Sequence, residues 1–344
     1  MHRSRPFLVS WILPVALLST SCGGGELPRA SRGDTEIELL NVSYDPTREL
    51  WRDLNERFVA DYARRTARRV SIRQSHGGSS TQARAVIDGL DADVVTLASV
   101  IDVDAISEHG LISEGWIDEL PERSLPYYST IVFVVRAGNP KGIRDWPDLV
   151  SPGVETITPN PKTSGNGYLS FFAAWGSVLL RGGSEEDALA YVTQLYRQVP
   201  VLDSGARNAT TTFAQKHIGD VQLAWENEAH LEVAEAEGEL EIVYPPISIR
   251  AEPHVAVVDA NVDRRGTRDA AEAYLRYTYS DEAQEIIARH FYRPSNPSVL
   301  ARHAATFPPI RLLGVTEIAG SFQEAHRRLI AEGGVFDLIY ERAR

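Results

Sequence analysis

Three times in this chain a short apolar run of strand character ends in a cluster of small polar residues, and a helical period follows. The clusters are Ser75-His76-Gly77-Gly78-Ser79-Ser80-Thr81, Pro161-Lys162-Thr163-Ser164-Gly165-Asn166-Gly167 and Asp203-Ser204-Gly205-Ala206-Arg207-Asn208. This recurrence constrains the fold more than any other feature. A strand that repeatedly feeds a helix builds open α/β sheets, and such sheets bind ligands at the carboxyl ends of their strands. The remaining pattern agrees. Strand-like runs fall at 37–42, 70–73, 93–97, 131–136, 155–158, 200–202, 221–225, 241–243 and 255–258. Helical periods cover 49–65, 81–90, 168–180, 185–198, 210–217, 229–237 and 269–277.

Each cluster sets free backbone N–H groups at a helix start, and its small side chains let an anion approach them. The peptide dipoles add partial positive charge at the same place. Ser and Thr cap helices in many proteins, so one cluster alone says little. Three in one α/β chain point to an anion site. A fourth candidate is Ala224-Trp225-Glu226-Asn227-Glu228, where an indole N–H can act as a directed donor.

Composition narrows the function classes. The 344 residues suffice for about two domains. Their balance of 35 basic against 47 acidic residues, a net charge of −12, contains no Lys/Arg run of the kind that binds a nucleic-acid backbone. A single cysteine, Cys22, excludes a disulfide framework and a Cys-rich metal site. The nine His are scattered, none three to five residues from another, so no His-based metal site and no cofactor is expected. Neither a Gly-x-Ser-x-Gly elbow, a His-Glu-x-x-His motif nor a Gly-Lys-Ser/Thr phosphate loop occurs, and an enzyme such as a periplasmic hydrolase is not the expectation.

Residues 1–22 read as an export signal, with Arg3 and Arg5 before the apolar run Phe7 to Leu18 and small residues before Cys22. The run is too short to span a bilayer, which needs roughly 20 residues. Cys22, followed by Gly23-Gly24-Gly25, resembles a bacterial lipoprotein processing site, with Ser19 where the usual leucine stands. Residues 23–34 then form a flexible tether, and the processed chain works outside the cytoplasm.

Longer stretches carry a family likeness. Leu39-Leu40-Asn41-Val42-Ser43-Tyr44-Asp45-Pro46, Ile72 to Ser79, Ala92-Asp93-Val94-Val95-Thr96-Leu97-Ala98, Thr158 to Lys162, Val201 to Arg207 and Ala224 to Ala229 resemble the periplasmic sulfate-binding proteins of bacterial sulfate transporters. Ala251-Glu252-Pro253-His254, Ala273-Tyr274-Leu275 and Tyr292-Arg293-Pro294 continue the likeness in order, so it covers about 36–340. The resemblance implies a two-lobed periplasmic-binding-protein fold of type II, two open sheets joined by crossover hinge strands. Lobe one would comprise 35–133 with 254–344, and lobe two 134–253. It further implies closure on one dehydrated sulfate and its delivery to an inner-membrane ABC permease and its ATPase; a monomer is the default expectation, with oligomeric state open. Carried over by motif, the ligand would be held by the N–H of Ser79, the N–H and hydroxyl of Ser164, the N–H groups of Gly165, Asn166 and Ala206, and the indole of Trp225. Asp45 and Asp203 would stand behind them, accepting from backbone or from Arg207.

The likeness has departures. The family commonly reads Ser-Gly-Gly-Ala-Arg where this chain has Ser164-Gly165-Asn166-Gly167-Tyr168, so an arginine is missing; Ser80-Thr81 replaces a Gly and a basic residue. Sulfate offers only acceptor oxygens near neutral pH, so a pocket of donors satisfies it fully. Phosphate brings an O–H that such a pocket leaves unpaired, a cost of ~1–3 kcal/mol. Thiosulfate, molybdate and tungstate are the remaining alternatives, because sequence does not measure pocket size.

Overall fold

The computed structural model describes residues 36–343. The export signal, Cys22 and the tether therefore lie outside the described residues. Twelve strands form two sheets: β1 (Ile37–Tyr44), β2 (Val70–Gly77), β3 (Val94–Leu97), β4 (Tyr127–Arg136), β5 (Thr156–Pro159), β6 (Leu202–Asp203), β7 (Val221–Trp225), β8 (Leu240–Val243), β9 (Ile247–Ala251), β10 (His254–Val257), β11 (Arg293–Pro294) and β12 (Arg311–Leu313).

The first sheet has the order β10-β3-β1-β2, with β1, β2 and β3 parallel and β10 antiparallel to β3. Side chains alternate between its two faces. Val94, Val255 and Val257 enter a core with Trp51, Phe58 and Tyr274 on one side. Val95, Ala256 and Val258 enter a second with Val103 and Ile106 on the other. Apolar residues of β3 and β10 therefore face both cores, so these two strands read as largely continuous apolar runs rather than alternating ones.

The second sheet has the order β12-β9-β4-β7-β5-β6, with β8 and β11 also pairing β4. Along β4, Ile131, Phe133 and Val135 face the Trp146, Phe171 and Phe172 core, while Val132 and Val134 face Phe213 and Ala224. The whole of β4 lies in this sheet, although its first residue, Tyr127, still packs in the first sheet's core.

The C-terminal segment corrects the expected division of the chain. Residues 311–344 were assigned to the first lobe, yet β12 pairs with β9, and Val315, Ile318, Leu329, Phe336 and Ile339 sit in the second sheet's core. The cause is aromatic packing: Phe336 meets Phe171 edge-on at 6.0 Å, and Phe322 meets Phe172 at 5.8 Å. The chain thus crosses between the cores three times, near 125–127, at 251–254 and between Phe307 and Arg311. Where β11 pairs with the start of β4, Arg293 forms a buried ion pair with Glu226, bonded at 2.7 and 2.8 Å.

Helices begin earlier than the periodicity indicates. The helices Ser79–Ile87, Gly165–Leu179, Ala206–Thr210 and Glu226–Glu235 start two to four residues before the expected positions, so that the polar clusters form their first turns.

Candidate functional site

Those four helices point their N-termini into one cleft of about 570 Å³, and the described wall draws on both halves of the molecule. Ser79, Ser164, Gly165, Asn166, Ala206, Trp225, Asp45 and Arg207 all line it, as do Tyr44, Tyr168 and His326. Asp203 does not.

Each donor is set by its own local geometry. Ser79 is the first residue of its helix, where a backbone N–H has no intrahelical acceptor. Its hydroxyl is occupied: it donates to Asp102 Oδ2 at 2.5 Å and accepts from the Ala98 N–H at 2.9 Å. Ser79 therefore offers the cleft its N–H alone.

Ser164 behaves in the opposite way, and here the expectation needs correcting. Its N–H donates to the Asn160 carbonyl at 3.0 Å, within the turn that closes β5 onto the helix, so it is not a free donor. Its hydroxyl caps the helix, accepting from the Gly167 N–H at 3.4 Å, and keeps its own proton to donate. Gly165 and Asn166 follow in the first turn and present their N–H groups. The Asn166 amide, oriented to satisfy its neighbours, accepts the Trp225 N–H at 3.1 Å and donates to the Leu223 carbonyl at 3.1 Å. Asn in place of the family's Gly thus ties the helix start to β7. Ala206 opens the third helix after Gly205, and Thr163 Oγ1 donates to the Ser204 carbonyl at 2.9 Å, joining the second and third clusters. The Trp225 ring packs against Tyr44 across the cleft, with centroids 6.4 Å apart.

The charged residues around this wall are largely neutralised. Asp45 is the one carboxylate among the described lining residues, and Arg48 holds it at 2.6 Å. Lys162 turns its ammonium away to Asp337, at 2.8 Å, and to the Ala331 carbonyl, at 3.0 Å. Asp45 and Asp203, expected to accept from backbone or from Arg207, have other partners. Asp45 pairs with Arg48, and Asp203, off the cleft wall, accepts from Thr212 Oγ1 at 3.2 Å. Tyr168 fills the space of the missing arginine as a packing residue, against Phe172 and Phe322 at 5.9 and 5.8 Å.

Two residues had no sequence signal. Asp102 lies in the helix Val100–Glu108, which no periodicity marked, and burial raises its carboxyl above the usual value while the Ser79 and Ser80 hydroxyls hold it down. His326 is a lone histidine on the helix Phe322–Leu329, far along the chain from every polar cluster. Among the described residues no group of three His, Cys, Asp or Glu side chains could hold a metal ion.

Behind Trp225, burial pushes the Glu232 carboxyl up to about 8, with Glu228 adding to it, and burial pushes Glu228 itself up to about 7. A glutamate whose pKa is raised on folding contributes stability that is complete below its ordinary value and is lost as pH rises through the folded value. The melting temperature, followed from about pH 5 to about pH 8, is expected to decline more in the native chain than in Glu232→Gln, which has no proton to lose.

Two α/β halves with helix N-termini converging on the cleft between them define a bilobed ligand-binding protein of the periplasmic type. The family model for bacterial extracellular solute-binding protein matches residues 46–293, and the chain belongs to that family. It is 51% identical over 309 residues to a sulfate-binding protein of Escherichia coli, covering 89% of this chain and 94% of that one. It is 48% identical over 304 residues to a thiosulfate-binding protein of Pseudomonas aeruginosa, covering 88% and 92%. Among solved structures it is similar to the sulfate-binding protein SubI of Mycobacterium tuberculosis, with a TM-score of 0.76 and 30% identity over 86% of this chain and all of that one. These are solute-binding proteins of transport, not enzymes. Among the described residues no helix is long and apolar enough to cross a membrane.

Proposed function

We propose that the cleft captures sulfate and presents it to an ABC importer. The observation that carries this reading is the convergence of four helix N-termini on a wall whose one carboxylate is already paired. The ligand is held by the N–H groups of Ser79, Gly165, Asn166 and Ala206, the Ser164 hydroxyl and the Trp225 indole. Neutral dipoles suit a carrier, which must strip the anion of water and later release it: the cage is preorganised when closed and dismantled when the halves part. Ligand favours the closed form only through donors that the open form cannot bring together.

The two lobes in this reading are 36–126 with 254–307, and 127–253 with 311–343, hinged at the three crossings. The protein works as a monomer, is held to the membrane through a lipid on Cys22, and docks on a permease served by an ATPase. Mass measurement of the purified native protein tests the lipid.

Calorimetric titration with sulfate, thiosulfate, molybdate and phosphate tests the ligand. Sulfate is expected to bind most tightly, and phosphate at least about tenfold more weakly, because its O–H meets only donors. Phosphate binding as tight as sulfate overturns the donor-only cleft. Thiosulfate is the second reading, favoured by the relative at 48% identity whose name gives that ligand. A thiosulfate affinity above that for sulfate selects it. Trp225→Phe removes one donor to a charged acceptor and is expected to weaken sulfate binding about 10- to 100-fold with little change in melting temperature. Unchanged affinity takes Trp225 out of the site.

A further inference from the structure

One titratable side chain of the cleft wall has no part in the donor set. His326 lies on the helix Phe322–Leu329, which is anchored in the second sheet's core by Ala325 and Leu329. One turn earlier on the same face, Gln323 Nε2 donates to Asp104 Oδ2 at 2.8 Å. Asp104 belongs to the helix Val100–Glu108, which is fixed in the first sheet's core by Val103 and Ile106. The His326 face is therefore where the two halves touch at the edge of the cleft, and the imidazole itself lines the cavity with Ser79 and Tyr168.

The charges around it are few and mostly engaged. From the helix Val100–Glu108 it meets Asp102, whose carboxylate holds the Ser79 hydroxyl. Asp104, on the same helix, is engaged by the Trp116 indole at 3.1 Å and by Gln323. From the Pro161–Ser164 turn comes Lys162, bound to Asp337 of the C-terminal helix. Tyr168 faces it from the Gly165 helix as a neutral phenol, since burial pushes its pKa far up. On its own helix, Arg327 is paired with Glu324 and Arg328 with Glu185. Burial lowers the His326 pKa below its ordinary value, Asp102 being the next-largest influence and opposing it, with Lys162 adding a smaller downward push. Burial thus favours the neutral form of an imidazole that lines the same cavity as the helix N-termini.

We propose that His326 takes up a proton from solvent when a divalent oxyanion enters the cleft, so that capture is coupled to pH and this imidazole is cationic only while the site is loaded. The inference rests on the anion reading of the cleft. A dianion in the same cavity acts on the imidazole as a second Asp102 does, favouring the charged form. By linkage the protonated imidazole favours the dianion. Affinity then rises as pH falls from the loaded-state pKa toward the lower empty-state pKa, and levels below it. Sulfate remains a dianion throughout this range. Opening the cleft lets the proton leave with the ligand.

The test is calorimetric titration of the purified protein with potassium sulfate from about pH 7 down to about pH 5, in two buffers of different ionisation heat. Native protein and His326→Gln are compared. Native protein is expected to bind about three- to tenfold more tightly at the acid end and to take up a fraction of a proton approaching one. His326→Gln, with an unchanged melting temperature, is expected to lose both the pH dependence and the uptake. His76 titrates nearby, with Nδ1 2.6 Å from the Ser43 hydroxyl, so His76→Gln is run in parallel and is expected to keep the native pH dependence. Identical profiles in native protein and His326→Gln, or loss of the dependence in His76→Gln instead, overturn the proposal. Absence of sulfate binding in the native protein at every pH overturns the anion reading and this inference with it.

Discussion

Gly167→Ala is expected to abolish high-affinity anion capture. A Cβ at this position would stand 2.6 Å from the Pro159 carbonyl oxygen and 2.7 Å from the carbonyl carbon and oxygen of Asn160. All three are backbone atoms at the end of β5, so no side chain can swing aside to make room. The helix Gly165–Leu179 has to retreat from the strand that feeds it. Its first turn carries the Ser164 hydroxyl and the N–H groups of Gly165 and Asn166, half of the proposed donors. Sub-ångström preorganisation is what such a site depends on, and its loss is expected to weaken sulfate binding about 100-fold or more. Overpacking itself costs ~1–3 kcal/mol, so the melting temperature falls as well. Calorimetry together with a thermal melt checks both. Native affinity in Gly167→Ala would show that the helix start is more compliant than its contacts indicate.

Arg293→Met is expected to produce the largest loss of stability. The guanidinium is 4% exposed and the Glu226 carboxylate fully buried, and the two are joined by paired bonds of 2.7 and 2.8 Å. Arg293 also donates to the Pro308 carbonyl at 3.1 Å and lies over the Phe307 ring at 5.4 Å. Truncating it strands a buried carboxylate, which costs ~3–5 kcal/mol. In a chain of this size that lowers the melting temperature by about 10 °C. Because Glu226 opens the helix that follows Trp225, the indole is expected to shift too, and sulfate affinity with it. Replacing both partners, Glu226→Leu with Arg293→Met, removes the unpaired charge and is expected to cost less than the single change. A double variant less stable than Arg293→Met would mean that the pair stabilises through its attraction rather than by mutual neutralisation.

The sequence carried the donor set unevenly. The places of Ser79, Gly165, Asn166 and Ala206 on the cleft wall were legible because helix starts depend on turn residues, and turn residues are local. Whether a given N–H stays free is a longer-range matter. The Ser164 N–H is consumed by Asn160 four residues back, and the hydroxyl of Ser79 by Asp102 on a helix that carried no readable period. Asp203 was expected behind the donors; it lies off the cleft wall and accepts from Thr212 Oγ1, a partner that spacing along the chain does not indicate. His326 and the C-terminal helices were hidden for a related reason. Their apolar faces match the Phe171–Phe172 surface, and nothing in a single amphipathic helix says which of two cores it will cover. The missing arginine at Tyr168 looked like a lost charge, whereas Phe172 and Phe322 make that position part of the packing.

The three passages of the backbone between the cores bear on how such proteins can be recombined. Neither half is one continuous piece of gene: the second is completed by residues more than fifty positions beyond Ala251. Grafting a new ligand preference from a relative by exchanging one central block would import β4 to β9 without the C-terminal helices that cover them. A chimera intended to keep its shape has to carry both segments from the same parent.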